Sequence, residues 1–523
     1  MKCLLPLKAV LLLCLITCRF EGLFGANILA IFPFSGRSQY ICVENYLKAL
    51  AARRHQVTSI SAFPQQKPVQ NFHDVPIIYE GTYFDDFLVD GNTPKVSKWE
   101  ELNWGIEFLI EPTRKVLEHP EVQKWLANGV TFDLVIVEAL QQDALYALAH
   151  HFNASLIGVS SFGTDIRIDE LVGNSSPLSY VPSILSTFSD HMTFDERLES
   201  LYTHIVEWVH NHYVMIPLHQ KLYTKYVNKP ADDFETVRKN FSLLLLNQHF
   251  SLSIPRPYVT NAIEVGGWHI DRKPKALPAE MEAFINAGTN GTIYFSLGSN
   301  LHSKNLSKEK LAIILQVLGS LPYNILWKFE APELHGKPKN VYINKWFPQA
   351  DILAHPNVKL FITHGGLLST IEAIHYAKPI VGMSIFYDQH INVARAQVKG
   401  FGLGVDFMNL NATQLRNTIL TVLTNPKYAQ RAQELSRRYH DQPLKPLDMA
   451  IYWTEYVLRH NGALHMRVAA HDLNVIKYHN LDVIAVLFGL PLLTFVFLVW
   501  VGCLLFKRLA EKLCDRVVKQ KQY

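Results

Sequence analysis

The densest run of residues able to do chemistry extends from Trp346 to Gln389. Within it an apolar, β-branched stretch, Val358–Thr363, ends in His364-Gly365-Gly366, and a helical pattern opens around Leu368-Ser369. Backbone N–H groups at a helix start have no partner inside the helix, and glycines let a ligand come close to them, so this turn suits a diphosphate. Ser369 adds a hydroxyl donor and His364 an imidazole. Glu372, one helical turn further, is placed to accept hydrogen bonds from ribose hydroxyls. Trp346, after the preceding strand, offers a flat face for a base, and Asp388 and Gln389, after the next strand, reach toward sugar hydroxyls. Singly such residues are ordinary: a Trp usually packs in a core, a His-Gly-Gly usually makes a turn, and an Asp-Gln pair usually sits in a solvated loop. Their combination carries the reading.

Elements that could hold these residues alternate along the chain. Apolar runs at 27–34, 56–63, 132–140 and 155–162, and again at 292–297, 324–329, 341–347, 358–363 and 379–386, are separated by helix-like stretches. Runs apolar on both faces suit strands of a parallel sheet covered by helices, so the pattern predicts two doubly wound α/β domains facing a cleft. The aromatic- and His-rich stretch 174–229 lacks strand runs and is expected to be helical. The junction between domains is expected from Ile254-Pro-Arg-Pro257 to Lys273-Pro-Lys275, where Pro is dense.

The 523 residues leave room for two or three domains, and 49% apolar against 18% charged residues exclude long disorder. The net charge of +4 sits at the ends, with +2 in residues 1–25 and +4 in residues 507–523. Residues 26–506 therefore carry −2, which provides no basic domain for nucleic acid. Lys2 and Lys8 precede the apolar run 9–18, and small residues follow at 22–26, so residues 1–25 read as a signal peptide. Residues 483–506 form an uncharged span, long enough to cross a hydrocarbon layer of ~30 Å and interrupted by Pro491, which could kink it. Lys507-Arg508 and the basic tail 507–523 belong on the cytosolic side, which predicts a single-pass type I protein with its bulk in the lumen. Lys519 and Lys521 resemble a dilysine signal for retrieval to the endoplasmic reticulum. Sequons fall at Asn153, Asn174, Asn240, Asn290, Asn305 and Asn411. Cys42 is the only cysteine between the signal and the span, so no internal luminal disulfide can form.

The order and spacing from Trp346 to His390 resemble the signature of the UDP-glycosyltransferase family, in its animal membrane-anchored branch of UDP-glucosyl- and UDP-glucuronosyltransferases. Ser296-Leu-Gly-Ser299 resembles the family's phosphate-contacting loop, and the segment from Gly462-Ala-Leu-His465 to Leu481-Asp482 its pre-membrane stretch. Phe32-Pro-Phe34 and Glu138 look like arthropod members, which commonly use UDP-glucose. The resemblance implies a GT-B fold and inverting transfer without a metal or bound cofactor, from a UDP-sugar donor to a small lipophilic acceptor. It divides the chain into a signal (1–25), an acceptor domain (26–255) and a UDP-sugar domain (256–460), followed by a juxtamembrane segment (461–482), a span (483–506) and a tail (507–523). By position, Trp346 stacks on uracil, Gln349 contacts the nucleoside and Glu372 holds the ribose. His364, Gly366, Ser369 and Ser299 then serve the diphosphate, and Asp388 and Gln389 the sugar. Acceptor choice is expected in variable loops such as 66–84 and 175–204. Self-association, or pairing with related transferases, is common among such relatives.

The sequence departs from this family at one position. In most relatives a His in the loop after the first strand removes the acceptor's proton, and here that position is Gln39. An amide does not titrate, so Gln39 can hold an O–H group but cannot act as a general base. The carboxylate that would orient the missing imidazole falls on Glu138, with Asp143 five residues further, and either is a candidate to take the proton directly or through water. The acceptor range is therefore expected to narrow toward amines and readily ionised phenols. The alternative is an inactive UDP-sugar-binding membrane partner of an active transferase.

Overall fold

Strands such as Leu134–Glu138 and Val358–Thr363 bury side chains on both faces, so they are stable only inside a sheet covered on each side. The computed structural model describes residues 25–80, 97–227, 234–271 and 273–520, and it arranges these strands in that way. The expected signal peptide, except Gly25, lies outside the described residues, as do positions 81–84 of the loop 66–84 and Lys521 of the dilysine pair.

Seven strands make the first sheet: Asn27–Phe32 (β1), Gln56–Ser61 (β2), Phe72–Pro76 (β3), Leu134–Glu138 (β4), Ser155–Ser160 (β5), Leu243–Leu246 (β6) and Ala262–Glu264 (β7). They pair in parallel in the order β3-β2-β1-β4-β5-β6-β7. Six make the second: Thr292–Ser296 (β8), Asn324–Lys328 (β9), Val341–Asn344 (β10), Val358–Thr363 (β11), Ile380–Gly382 (β12) and Gly402–Gly404 (β13). Their order, β10-β9-β8-β11-β12-β13, is also all parallel. In each sheet the first strand stands in the interior and the chain builds outward first on one side and then on the other. Connections therefore leave β1 and β4, and likewise β8 and β11, in opposite directions and open a crevice at the strands' carboxyl ends.

Alternate residues of each strand feed cores on opposite faces. Leu29 and Ile31 of β1 join one core of the first sheet, while Ile28, Ala30 and Phe32 join the other. Leu360 and Ile362 of β11 face one core of the second sheet, and Val358 and Phe361 face the other.

Several expectations need correction. β3, β6, β7 and β13 lie outside the strand runs read from sequence. β7 lies inside the expected junction, so the first sheet extends to Glu264 rather than stopping at residue 255, and the chain crosses over between Glu264 and Ala279. The stretch 174–229 is helical only from Phe194 onward, through Phe194–His210, a wider π turn at Asn211–Met215, and Ile216–Val227. Helix Pro446–Arg459 lies within the expected second domain, yet its Ala450, Ile451 and Val457 pack into the core of the first sheet.

The chain divides into two compact units, Met1–Arg467 and Val468–Tyr523. The second contains the helix from Leu481 to Cys514, which reaches a mean hydropathy of 2.6 and is long and apolar enough to cross a membrane. Its turns widen to π spacing at Ala485–Gly489, just before Pro491, whose ring nitrogen has no hydrogen to donate.

Candidate functional site

A cavity of about 1040 Å³ opens at the carboxyl ends of both sheets, where the strand orders reverse. Gln39, Ser299, Trp346, Gln349, His364, Gly366, Ser369, Glu372, Asp388 and Gln389 all line it. Glu138 and Asp143 do not.

On the side of the second sheet, β11 ends at Thr363, His364 follows it, and helix Leu367–His375 begins after Gly366, which has no side chain to cap it, although the Leu367 N–H is within reach of the Asp388 carboxylate. A Cβ at Gly366 would lie 2.5 Å from His364 Nε2, and one at Gly298 2.5 Å from His364 Cε1, so both glycines are needed for this close approach. Gly298 also has φ +88°, which favours glycine. Burial and the nearby Lys328 push the His364 imidazole down to about 4, so it is neutral at physiological pH. It can donate one hydrogen bond without bringing a charge. Ser299, which follows β8, donates to Asn300 Oδ1 at 3.2 Å and lines the same end of the cavity.

Glu372 is held from two directions. Gln349 Nε2 donates to its Oε2 at 2.8 Å and to Ser369 Oγ at 3.1 Å, and His269 Nε2 lies 3.1 Å from its Oε1. His269 comes from the crossover segment after β7, inside the stretch expected as the junction, where no sequence pattern marks it as a site residue. The indole of Trp346 is 48% exposed, and the Arg37 guanidinium stands 5.1 Å from its ring centre. Arg37 belongs to the first domain, so that ring face is shared between the two halves. Asp388 is buried, accepts from Asn392 Nδ2 at 2.7 Å, and is pushed up to about 7 by that burial. Gln389 Oε1 accepts from the backbone of Ile385 and Phe386 at 2.9 and 3.2 Å, which fixes the side chain through its oxygen and turns the NH₂ group to other partners.

On the side of the first sheet, Gln39 sits in the first turn of helix Arg37–Ala52, and its Oε1 accepts from the Ser38 hydroxyl at 3.0 Å. Asn300 Nδ2 reaches across to Ser38 Oγ at 3.2 Å, which ties the loop after β8 to this turn. Gly36 leaves room for both, because a Cβ there would meet Gln39 Oε1 at 2.7 Å and Asn300 Nδ2 at 2.9 Å. Leu102, Phe108, Leu140, Phe162 and Leu185 give this part of the cavity an apolar wall.

The two carboxylates separate sharply. Asp143 is buried in an ion pair with Arg238 Nη1 at 2.9 Å and points away from the cavity lining, so its candidacy as a proton acceptor is withdrawn. A buried pair of this kind is held by mutual neutralisation, and Asp143 could take a proton only by leaving a buried guanidinium unpaired. Glu138 ends β4 behind the cavity wall, and its Oε1 accepts from both the backbone N–H and the hydroxyl of Ser161, at 3.2 and 2.5 Å. Burial pushes Glu138 up to about 7. Among the described residues no group of three or more His, Cys, Asp or Glu is gathered as for a metal ion.

Comparisons with known proteins show the family and the fold. Residues 38–520 match the family described as UDP-glucoronosyl and UDP-glucosyl transferase. The chain is 33% identical to UDP-glycosyltransferase UGT5 of Dactylopius coccus, over 89% of each chain. It is also 33% identical to human UDP-glucuronosyltransferase 2B15, over 96% of this chain and 98% of that protein. Among solved structures it resembles a UDP-glucose:anthocyanidin 3-O-glucosyltransferase in complex with UDP, with a TM-score of 0.55 and 15% identity over 83% of this chain and 99% of the other. A forosaminyltransferase, SpnP, aligns with the same TM-score of 0.55 over 83% of this chain. These two establish the shared GT-B fold.

Proposed function

The chain belongs to the UDP-glucuronosyl and UDP-glucosyl transferase family, a glycosyltransferase using a UDP-sugar donor, and we propose that it conjugates glucose to small lipophilic acceptors. The observation that carries this reading is the single cavity whose one side is apolar and whose other side gathers His364, Ser369, Glu372 and Asp388. The acceptor atom attacks C1 of the sugar from the side opposite the diphosphate, which inverts that centre, and the C1–O bond breaks with its electron pair leaving on UDP. The N–H groups at the start of helix Leu367–His375 beyond that of Leu367, with Ser299, Ser369 and the neutral His364, are suited to receive the charge that develops there. Glu372, Gln349 and Trp346 hold the nucleoside, and Asp388 and Gln389 the sugar. The membrane-compatible helix, Leu481–Cys514, supports an anchor, and we place the catalytic unit in the lumen of the endoplasmic reticulum on the strength of the basic tail.

Gln39 supplies no base, which favours acceptors whose nucleophilic atom has a free lone pair or ionises readily, so amines and acidic phenols lead and plain alcohols follow. The same residue favours a second reading, in which the protein binds UDP-sugar as a non-catalytic membrane partner. The test is full-length protein in membranes, given UDP-glucose or UDP-glucuronate with an aniline, a phenol or an alcohol, and read by mass spectrometry. Glucose conjugates of the aniline support the proposal. Removal of a charged hydrogen-bonding partner in Glu372→Ala should raise the KM for UDP-glucose by ~10-fold or more. Uridine nucleotide binding with no conjugate from any acceptor would favour the second reading, and full activity in both Glu372→Ala and Asp388→Ala would remove the site assignment.

A further inference from the structure

We propose that Ser161 and Glu138 form a proton relay that serves O–H acceptors in place of the imidazole missing at residue 39. The proposal rests on the transferase reading above and concerns the route of one proton within it.

The geometry begins with two adjacent parallel strands. β4 ends at Glu138, which stands opposite Val159 of β5, and Ser161 lies just past the end of β5. Ser161 gives both its backbone N–H and its hydroxyl to Glu138 Oε1, at 3.2 and 2.5 Å. Its carbonyl is pinned in turn by Asn247 Nδ2 at 3.1 Å. Ser161 lines the cavity and Glu138 does not, so the hydroxyl is the link between the carboxylate and a bound acceptor. A hydroxyl that donates to a carboxylate keeps its lone pairs free to accept an acceptor's O–H. Gln39 lines the same cavity with its Oε1 satisfied by Ser38.

Glu138 is suited to receive the proton. Its Oε2 is buried without a hydrogen-bond partner, and among the described residues it makes no ion pair. The titratable groups facing it are the Cys42 thiol of helix Arg37–Ala52 and the Tyr146 phenol, both pushed up by burial and so neutral. Tyr146 accepts from the Gln142 backbone N–H at 3.0 Å, and Cys42 Sγ accepts from Trp268 Nε1 at 3.2 Å. Burial brings Glu138 up to about 7, where it is neither a spent base nor a permanently protonated acid at neutral pH.

The step balances within the chain and its substrates. As the acceptor oxygen bonds to C1 and the C1–O bond to the diphosphate breaks, the acceptor's proton passes to Ser161 Oγ and the Ser161 hydroxyl proton passes to Glu138 Oε1. Glu138 finishes as a neutral carboxylic acid, the form that its burial favours, and returns the proton through Ser161 once the product has left. An amine that attacks through its lone pair has less need of this route.

The test uses full-length protein in membranes with UDP-glucose, and compares a phenol that ionises near ~10 with an aniline across the range from mildly acidic to mildly alkaline pH. With a relay, phenol kcat/KM rises with pH and flattens above about 7, the value of Glu138. Without one it tracks the phenolate fraction and rises about tenfold per pH unit with no break. In Ser161→Ala, and in Glu138→Gln, which keeps an oxygen for both Ser161 donors, the plateau should vanish and the phenol-to-aniline rate ratio should fall by ~10². Ser161→Thr, which keeps a hydroxyl, should retain the plateau, and Gln39→His added to Ser161→Ala should restore phenol transfer. An unbroken rise in the wild type, an unchanged ratio in Ser161→Ala, or an equal loss for both acceptors would overturn the relay while leaving aniline transfer as evidence of the transferase. A wild type that conjugates neither acceptor would overturn the proposed function itself.

Discussion

A carboxylate whose desolvation outweighs its partners holds its proton to higher pH, and Glu138 and Asp388 are each raised by burial to about 7, Asp388 despite the nearby Arg395. In the unfolded chain both titrate near ~4. Between those values the folded state holds protons that the unfolded state has released. Each group therefore contributes stability that is complete below about pH 4 and is lost as pH rises through about 7. The melting temperature of detergent-solubilised protein should fall between about pH 5 and about pH 8, and Glu138→Gln or Asp388→Asn should flatten that fall, by ~1–3 kcal/mol in each case. A variant that falls as steeply as the wild type would mean that its carboxylate is paired in solution. Residues of this kind were only partly legible in the sequence. The nucleotide-side residues, Ser299 apart, belong to one stretch from Trp346 to Gln389, and all of them, Ser299 included, line the cavity. Asp143 was misread because its partner, Arg238, lies 95 residues away, and nothing local signals an ion pair across that distance. Ser161 and His269 went unread for the opposite reason: a serine at a strand end and a histidine in a linker carry no pattern until their partners Glu138 and Glu372 are brought beside them.

Helix Leu367–His375 is only nine residues long, so its stability comes from packing and its function from how it begins. Gly366 precedes it with φ −59°, a conformation open to any residue, so the demand for glycine here is one of space against His364 and not of backbone freedom. Gly366→Ala should leave the fold intact and displace the imidazole, raising the KM for UDP-glucose by ~10-fold or more through lost diphosphate contacts, with a smaller effect on the KM of the acceptor. An unchanged KM would show that the turn has slack for a methyl group and that His364 is not held by it. Legibility at this scale followed side-chain pattern. The strands found from sequence were apolar on both faces, whereas β13 is Gly402-Leu403-Gly404, with almost no side chain to read, and β3 carries His73, Asp74 and Pro76 at the edge of its sheet. β6, four consecutive leucines, fits a helix as well as a strand until β5 and β7 flank it.

Two sheets whose strand orders match over six strands would suggest two separable domains, but the chain does not use its length that way. After completing the second sheet it returns, and helix Pro446–Arg459 lays Ala450, Ile451 and Val457 into the core that also holds Ile28, Phe32 and Tyr46. The Tyr46 hydroxyl meets Thr454 Oγ1 at 2.7 Å inside that core, and Trp268 from the crossover stacks on the Tyr46 ring at 4.7 Å. No pattern in the helix's own sequence reveals this destination, since an amphipathic helix shows that one face is buried without showing against what. The cleft is consequently crossed twice, once by the segment that carries His269 and once by the chain leading to Pro446–Arg459, so each half holds part of the other's support. If a protease site is inserted in the exposed stretch 273–276 and the folded protein is cut there, the two pieces should stay together on a sizing column, because separation would strip the first core of that helix. Ile451→Asp in the same cut protein places a charge where the side chain is 4% exposed, at a cost of several kcal/mol, and should release them. Pieces that part without the substitution would mean that the helix follows the second sheet in solution and that the returning chain does not hold the halves together.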